Sequence, residues 1–115
     1  MTETYVPARG DFARMVLDPY TGHEQGGERP VLVLSSSSFS IVTRYALVAP
    51  VTRRVRGWPF EVRIEPDERI SGAVLADQTR IVDYVARHAT FLGVASRALV
   101  EAVRQRVSAI LADDA

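Results

Sequence analysis

The amino-acid sequence predicts a mainly β chain closed by one C-terminal α-helix, its strands forming a small, strongly curved antiparallel sheet or partly open barrel. Three observations predict it. Short apolar or alternating runs, each too brief for a helix, follow one another between turn signals from Phe12 to Phe91. Helical spacing of apolar residues appears near the C-terminus. No strand pattern is followed by the helix-length pattern that a βαβ unit needs.

In order, Ala13, Met15 and Leu17 share one side of a period-two strand, while Arg14 and Asp18 fall on the other. Asp18 to Pro30 holds two prolines and three glycines without apolar periodicity and reads as a long exposed loop. Val31 to Leu34 and Tyr45 to Val51 are nearly continuous apolar runs, expected as strands buried on both faces. Between them the serines 35–38 lead to Phe39, a turn with at most one helical turn. Phe60, Val62 and Ile64 alternate with Glu61, Arg63 and Glu65, a half-buried strand that Pro66 ends. Ala73 to Ala76 is a further apolar run after Ser71-Gly72, and the mixed segment Ile81 to Phe91 reads as strand. Leu99, Val103, Val107 and Ile110 recur at helical spacing behind the N-cap candidate Ser96, with Glu101, Arg104, Gln105 and Ser108 opposite. The expectation is five or six strands and one helix, without repeat or linker.

A chain of 115 residues with 47% apolar and 24% charged residues reads as one globular domain, residues 1–115, with a sizeable core. The absence of cysteine excludes disulfide frameworks, iron–sulfur clusters and zinc ribbons. His23 and His88 give little basis for a histidine-rich metal site, so no metal or cofactor is expected. No run approaches a membrane span and the first residues lack a signal-peptide pattern, which predicts a soluble cytoplasmic protein. Net charge is zero, 14 against 14, so the chain as a whole does not read as a nucleic-acid binder. Its charge is unevenly placed, however: residues 44–63 carry five arginines against Glu61 alone. All 14 basic residues are arginine, which suits bidentate phosphate recognition and equally suits an arginine-favouring codon bias.

Several short patterns carry little. Arg9-Gly10-Asp11 matches an integrin tripeptide by chance, Gly22, Gly26 and Gly27 form no phosphate-binding loop, and the four serines lack a nucleophile elbow. Two clusters carry more. His23-Glu24-Gln25-Gly26-Gly27-Glu28-Arg29 sets an imidazole, a carboxylate, an amide and a guanidinium beside glycines that let a ligand approach the backbone, or else is a solvated hairpin tip. Thr52 ends a buried strand and leads into Arg53, Arg54, Arg56, Trp58 and Phe60. Basic residues interleaved with aromatics suit single-stranded nucleic acid, offering charge to phosphates and flat faces to bases; the alternative is a charged turn whose rings pack the core.

Taken together and in order, Arg9-Gly10-Asp11, Leu17-Asp18-Pro19, Gly22-His23-Glu24-Gln25, Arg29-Pro30-Val31-Leu32-Val33-Leu34-Ser35, Pro50-Val51-Thr52, Gly57, Pro59-Phe60-Glu61-Val62 and Leu75-Ala76-Asp77-Gln78 resemble the MazF/PemK family of toxin endoribonucleases. The resemblance implies an SH3-like barrel of the CcdB/PemK type and a homodimer. It also implies metal-independent cleavage of single-stranded RNA at short sequences and neutralisation by a cognate antitoxin. The family's active-site arginine and threonine fall on Arg29 and Thr52. Because a guanidinium rarely gives up its proton, Arg29 is expected to bind phosphate and stabilise transition-state charge. Thr52 would bond the scissile phosphate or orient the 2′-OH, and Glu24 or His23 would move the proton. Arg53, Arg54, Arg56 and Trp58 would line the RNA channel, and Gln25 and Gln78 could read base edges. Asp77 either holds an arginine, reads a base or caps a turn. Ala13-Arg14 and Phe39-Ser40 depart from the family pattern at the first strand and after the second, and neither removes a proposed catalytic group. The other readings are a non-enzymatic gyrase-binding toxin of the same fold, whose C-terminal Trp-Gly-Ile is Asp-Asp-Ala here, and an RNA binder without catalysis.

Overall fold

The computed structural model describes residues 4–17, 27–66 and 69–113. Among these are strands β1 (Asp11–Val16), β2 (Glu28–Val33), β3 (Tyr45–Thr52), β4 (Glu61–Arg63), β5 (Ala73–Leu75), β6 (Arg80–Asp83) and β7 (Thr90–Val94). Helix α1 (Ser37–Thr43) links β2 to β3, a 3-10 turn (Ala76–Gln78) links β5 to β6, and helix α2 (Arg97–Leu111) closes the chain. The strands run β4-β5-β3-β2-β1-β7, with β6 also paired to β3, and the pairings are antiparallel. Seven described strands replace the five or six expected, because Ile81 to Phe91 is two strands and not one. Asp83 Oδ1 accepts the N–H groups of Val85 and Ala86 at 3.0 Å each, and His88 turns the chain at φ 56°.

Period-two alternation distributes the side chains between two cores, one on each face of the curved sheet. Phe12 faces Leu32 and Leu32 faces Ala49, and this row packs with Val51, Val62 and Val74 beneath Leu99 and Val103 of α2. Ala13, Met15, Val31, Val33, Ala46, Val48 and Val82 form the other core with Tyr84. Both faces being covered explains the unbroken apolar run Val31–Val33. In β3 the expectation of burial on both faces fails at Tyr45, which is exposed.

Local structure departs from expectation in three further places. β2 starts at Glu28, inside the predicted loop, because Val16 and Met15 of β1 offer register partners to Glu28 and Arg29. α1 spans seven residues where one turn was expected. Ser36 Oγ accepts the Phe39 N–H at 3.2 Å, and Arg44, left-handed at φ 68°, donates its N–H to Ser40 at 2.8 Å. Tyr84 Oη donates to the Ser40 carbonyl, so a tertiary contact supports β-branched residues that favour helix weakly. In α2 the cap at Ser96 is present, its Oγ accepting from Leu99 N, but the apolar stripe stops short: Ile110 is 48% exposed.

Candidate active site

The site lies where the second core runs out. Val33 faces Val48 and Val31 faces Pro50 across β2 and β3. The same register carried two residues further sets Arg29 across from Thr52, and alternation puts both on the face of Val31, Val33 and Val48. An apolar floor thus passes into a guanidinium and a hydroxyl without a change of face. Arg29 and Thr52 line one cleft of about 490 Å³ with Leu17, Pro50 and Val51 on their side. Leu75, Gln78, Thr79 and Arg80 complete its lining.

Thr52 is held from two directions. Its Oγ1 accepts the N–H of Arg54 at 3.1 Å, which fixes the hydroxyl and leaves its hydrogen for a group in the cleft. Gly72, at φ +117°, brings the start of β5 against the Thr52 backbone, where an added Cβ would overlap the carbonyl oxygen and stand 3.0 Å from its carbon. The Arg29 guanidinium forms no hydrogen bond or ion pair with the described residues, and no carboxylate is among the described side chains that line the cleft. The cleft therefore presents unspent positive charge, a hydroxyl donor and an amide, the requirements of a phosphodiester.

The basic loop after Thr52 is built differently. Glu61 Oε1 accepts the N–H groups of Arg56 at 2.9 Å and Gly57 at 2.8 Å, and Arg106 Nε from α2 donates to the Pro59 carbonyl at 3.0 Å. These anchors present Arg56 over the Trp58 ring, 5.1 Å from its centroid, with Trp58 52% exposed. Arg53 and Arg54 are exposed, and Phe60 is partly buried. None of the four loop residues assigned to RNA lines the cleft itself; they extend from it along the chain. Gln78 lines the cleft, whereas Asp77 is exposed and does not. His23, Glu24 and Gln25 lie outside the described residues; at the flanks, Leu17 N donates to the Gly27 carbonyl at 3.1 Å.

The structure adds Arg80, Thr79 and Leu75, which sequence reasoning missed. The signal for Arg80 was its place two residues before buried Val82, on the same face.

The model of the PemK-like, MazF-like toxin family of type II toxin–antitoxin systems matches residues 8–111. The chain belongs to this family. It is 34% identical over 111 residues to the endoribonuclease toxin MazF of Escherichia coli K12, covering 96% of this chain and 99% of that protein. It is 37% identical over 107 residues to the E. coli endoribonuclease PemK, covering 90% and 80%. Among solved structures, MazF (Form-I) from Deinococcus radiodurans superposes with a TM-score of 0.85 at 40% identity, covering 94% of this chain and 98% of that one. A MazE-MazF structure (Form-III) from the same organism gives 0.85 at 37% identity, covering 93% and 97%. The mainly β architecture with a C-terminal helix is thus the barrel-like fold of MazF toxins. No helix among the described residues is long and apolar enough to cross a membrane.

Proposed function

We propose that this endoribonuclease toxin cuts single-stranded RNA in the cleft between Arg29 and Thr52, without a metal, leaving a 2′,3′-cyclic phosphate and a 5′-OH. The observation that carries the reading is a guanidinium unpaired among the described residues and an oriented hydroxyl, lining one cleft from neighbouring strands. In the reaction a base removes the 2′-OH proton, the 2′-oxygen bonds to phosphorus, the P–O5′ bond breaks, and the departing oxygen takes up a proton. Arg29 grips the phosphate and stabilises charge as the phosphorane forms, through the bidentate donors of its guanidinium. Thr52 donates its hydroxyl hydrogen to a phosphate oxygen. The base is Glu24 or His23, a carboxylate or an imidazole, either of which can take up the proton.

Arg53, Arg54, Arg56 and Trp58 take the RNA beyond the cleft through phosphate contacts and base stacking, while Gln25 and Gln78 read base edges. Asp77, exposed at the corner before Gln78, serves the turn or a base outside the cleft. The chain acts as one domain, residues 1–115, in the cytoplasm, as a homodimer restrained by a cognate antitoxin. Exposed Ile41, Val42, Tyr45 and Ile81 are the apolar surface we assign to the second copy.

Pure protein incubated in EDTA with a long single-stranded RNA tests the reading. The expected outcome is discrete cuts at a short recurring sequence with cyclic-phosphate and 5′-OH ends. Intact RNA across varied sequences, or cleavage only after metal is added, contradicts it.

A further inference from the structure

We propose that Arg80 is a second phosphate-binding residue of the cleft, holding a backbone phosphate next to the scissile one; the inference rests on the RNA-cleaving reading above. Arg80 faces Val48 across β6 and β3, and Val82 is buried in the same core as Val48. Alternation therefore sets Arg80 on the face that carries Arg29 and Thr52. The 3-10 turn decides which charge stands there. Continuing the β5 register, in which Val51 faces Val74, would bring Asp77 opposite Val48; the observed partner is Arg80, so the turn takes up three residues. A guanidinium occupies a wall that an uninterrupted strand would have given to a carboxylate.

The Arg80 guanidinium has no hydrogen bond or ion pair with the described residues. In contrast, Arg14 and Arg44 pair with Glu28 and Asp83, and Arg69, Arg87 and Arg106 donate to backbone carbonyls. Its position also differs from that of Arg29. β2 and β6 flank β3 on opposite sides, a backbone separation of about 10 Å, and Val48 lies four residues from Thr52, about 13 Å along the strand. Arg29 thus meets a diester at Thr52, while Arg80 meets the chain where it runs on through the cleft. A phosphate contact positions without reading sequence.

The test compares wild type, Arg80→Gln and Arg80→Lys in cleavage kinetics on single-stranded RNA over a series of salt concentrations. Binding of an uncleavable DNA oligonucleotide of the same sequence is read in parallel. Arg80→Gln should raise KM about tenfold. It should also keep kcat within about twofold and make the plot of log affinity against log salt shallower by about 0.7, the release expected for one phosphate of a single strand. Arg80→Lys should restore the salt slope, and the pattern of cut sites should stay unchanged. An unchanged KM and slope in Arg80→Gln overturns the proposal, as does a fall in kcat alone or a shift in cut sites. If wild type never cuts, the nuclease reading fails, and the DNA binding slopes still decide for or against Arg80.

Discussion

The cleft and the loop beside it hold their arginines by different means. Arg29 and Thr52 stand on a ladder whose register is fixed by cores on both faces, and their separation follows from strand geometry. Arg56 and Trp58 stand on a loop shaped by one carboxylate, Glu61, and one guanidinium, Arg106. Groups placed by a ladder suit bond-making, where small displacements are costly. Groups placed by a few side-chain tethers suit recognition, where the ligand completes the order. The contributions of Arg29 and Thr52 should therefore appear in kcat, and those of the loop in KM.

The largest effect should come from the ladder. Arg29→Ala and Thr52→Ala should each lower the cleavage rate by a factor of about 10² or more while thermal unfolding shifts little, since neither side chain is buried. Gly72→Ala should follow. It forces a Cβ into the Thr52 backbone at a positive φ, so we expect a destabilisation of about 1–3 kcal/mol in denaturant unfolding together with a fall in kcat. A folded, fully active Gly72→Ala would show that Thr52 does not depend on that approach.

The loop should give smaller effects, confined to KM. Trp58→Ala removes one stacking face, a loss of about 1–3 kcal/mol in RNA affinity. Glu61→Ala should raise KM several-fold by freeing the Arg56 and Gly57 N–H groups, and Glu61→Gln, which keeps the accepting oxygen, should stay near wild type. A change in kcat for either would break the division between the two regions.

The smallest effect lies outside both. Burial, the hydrogen bond that Tyr5 Oη donates to Asp11 at 2.6 Å, and the charge of Asp11 all push the phenol well above its usual range. A raised folded-state value means the contribution to stability is complete below about pH 10, where the unfolded phenol begins to ionise. It is lost as pH climbs from there. Unfolding of Tyr5→Phe followed above that pH should show a shallower alkaline decline than wild type.

What the sequence disclosed, and what it hid, follows the range of the forces involved. α2 was legible because Ser96 caps it and Leu99 and Val103 repeat locally, and β4 because Glu61, Val62 and Arg63 alternate. Thr52 read as a hydroxyl ending a buried strand and Arg29 as part of a polar loop cluster; the family resemblance singled out the pair, and both line one cleft. α1 was not, because its serines and β-branched residues favour other conformations until Tyr84 reaches Ser40 from 44 positions away. Arg80 was hidden for a related reason: only the corner at Ala76–Gln78 brings it, and not Asp77, opposite Val48.

A structure of the protein with an RNA carrying 2′-deoxyribose at the cut position tests the central claim most directly. One phosphate should lie within about 3 Å of both the Arg29 guanidinium and Thr52 Oγ1, with the chain leaving toward the Arg56–Trp58 loop. A scissile phosphate bound elsewhere, with either side chain turned away from it, contradicts the account.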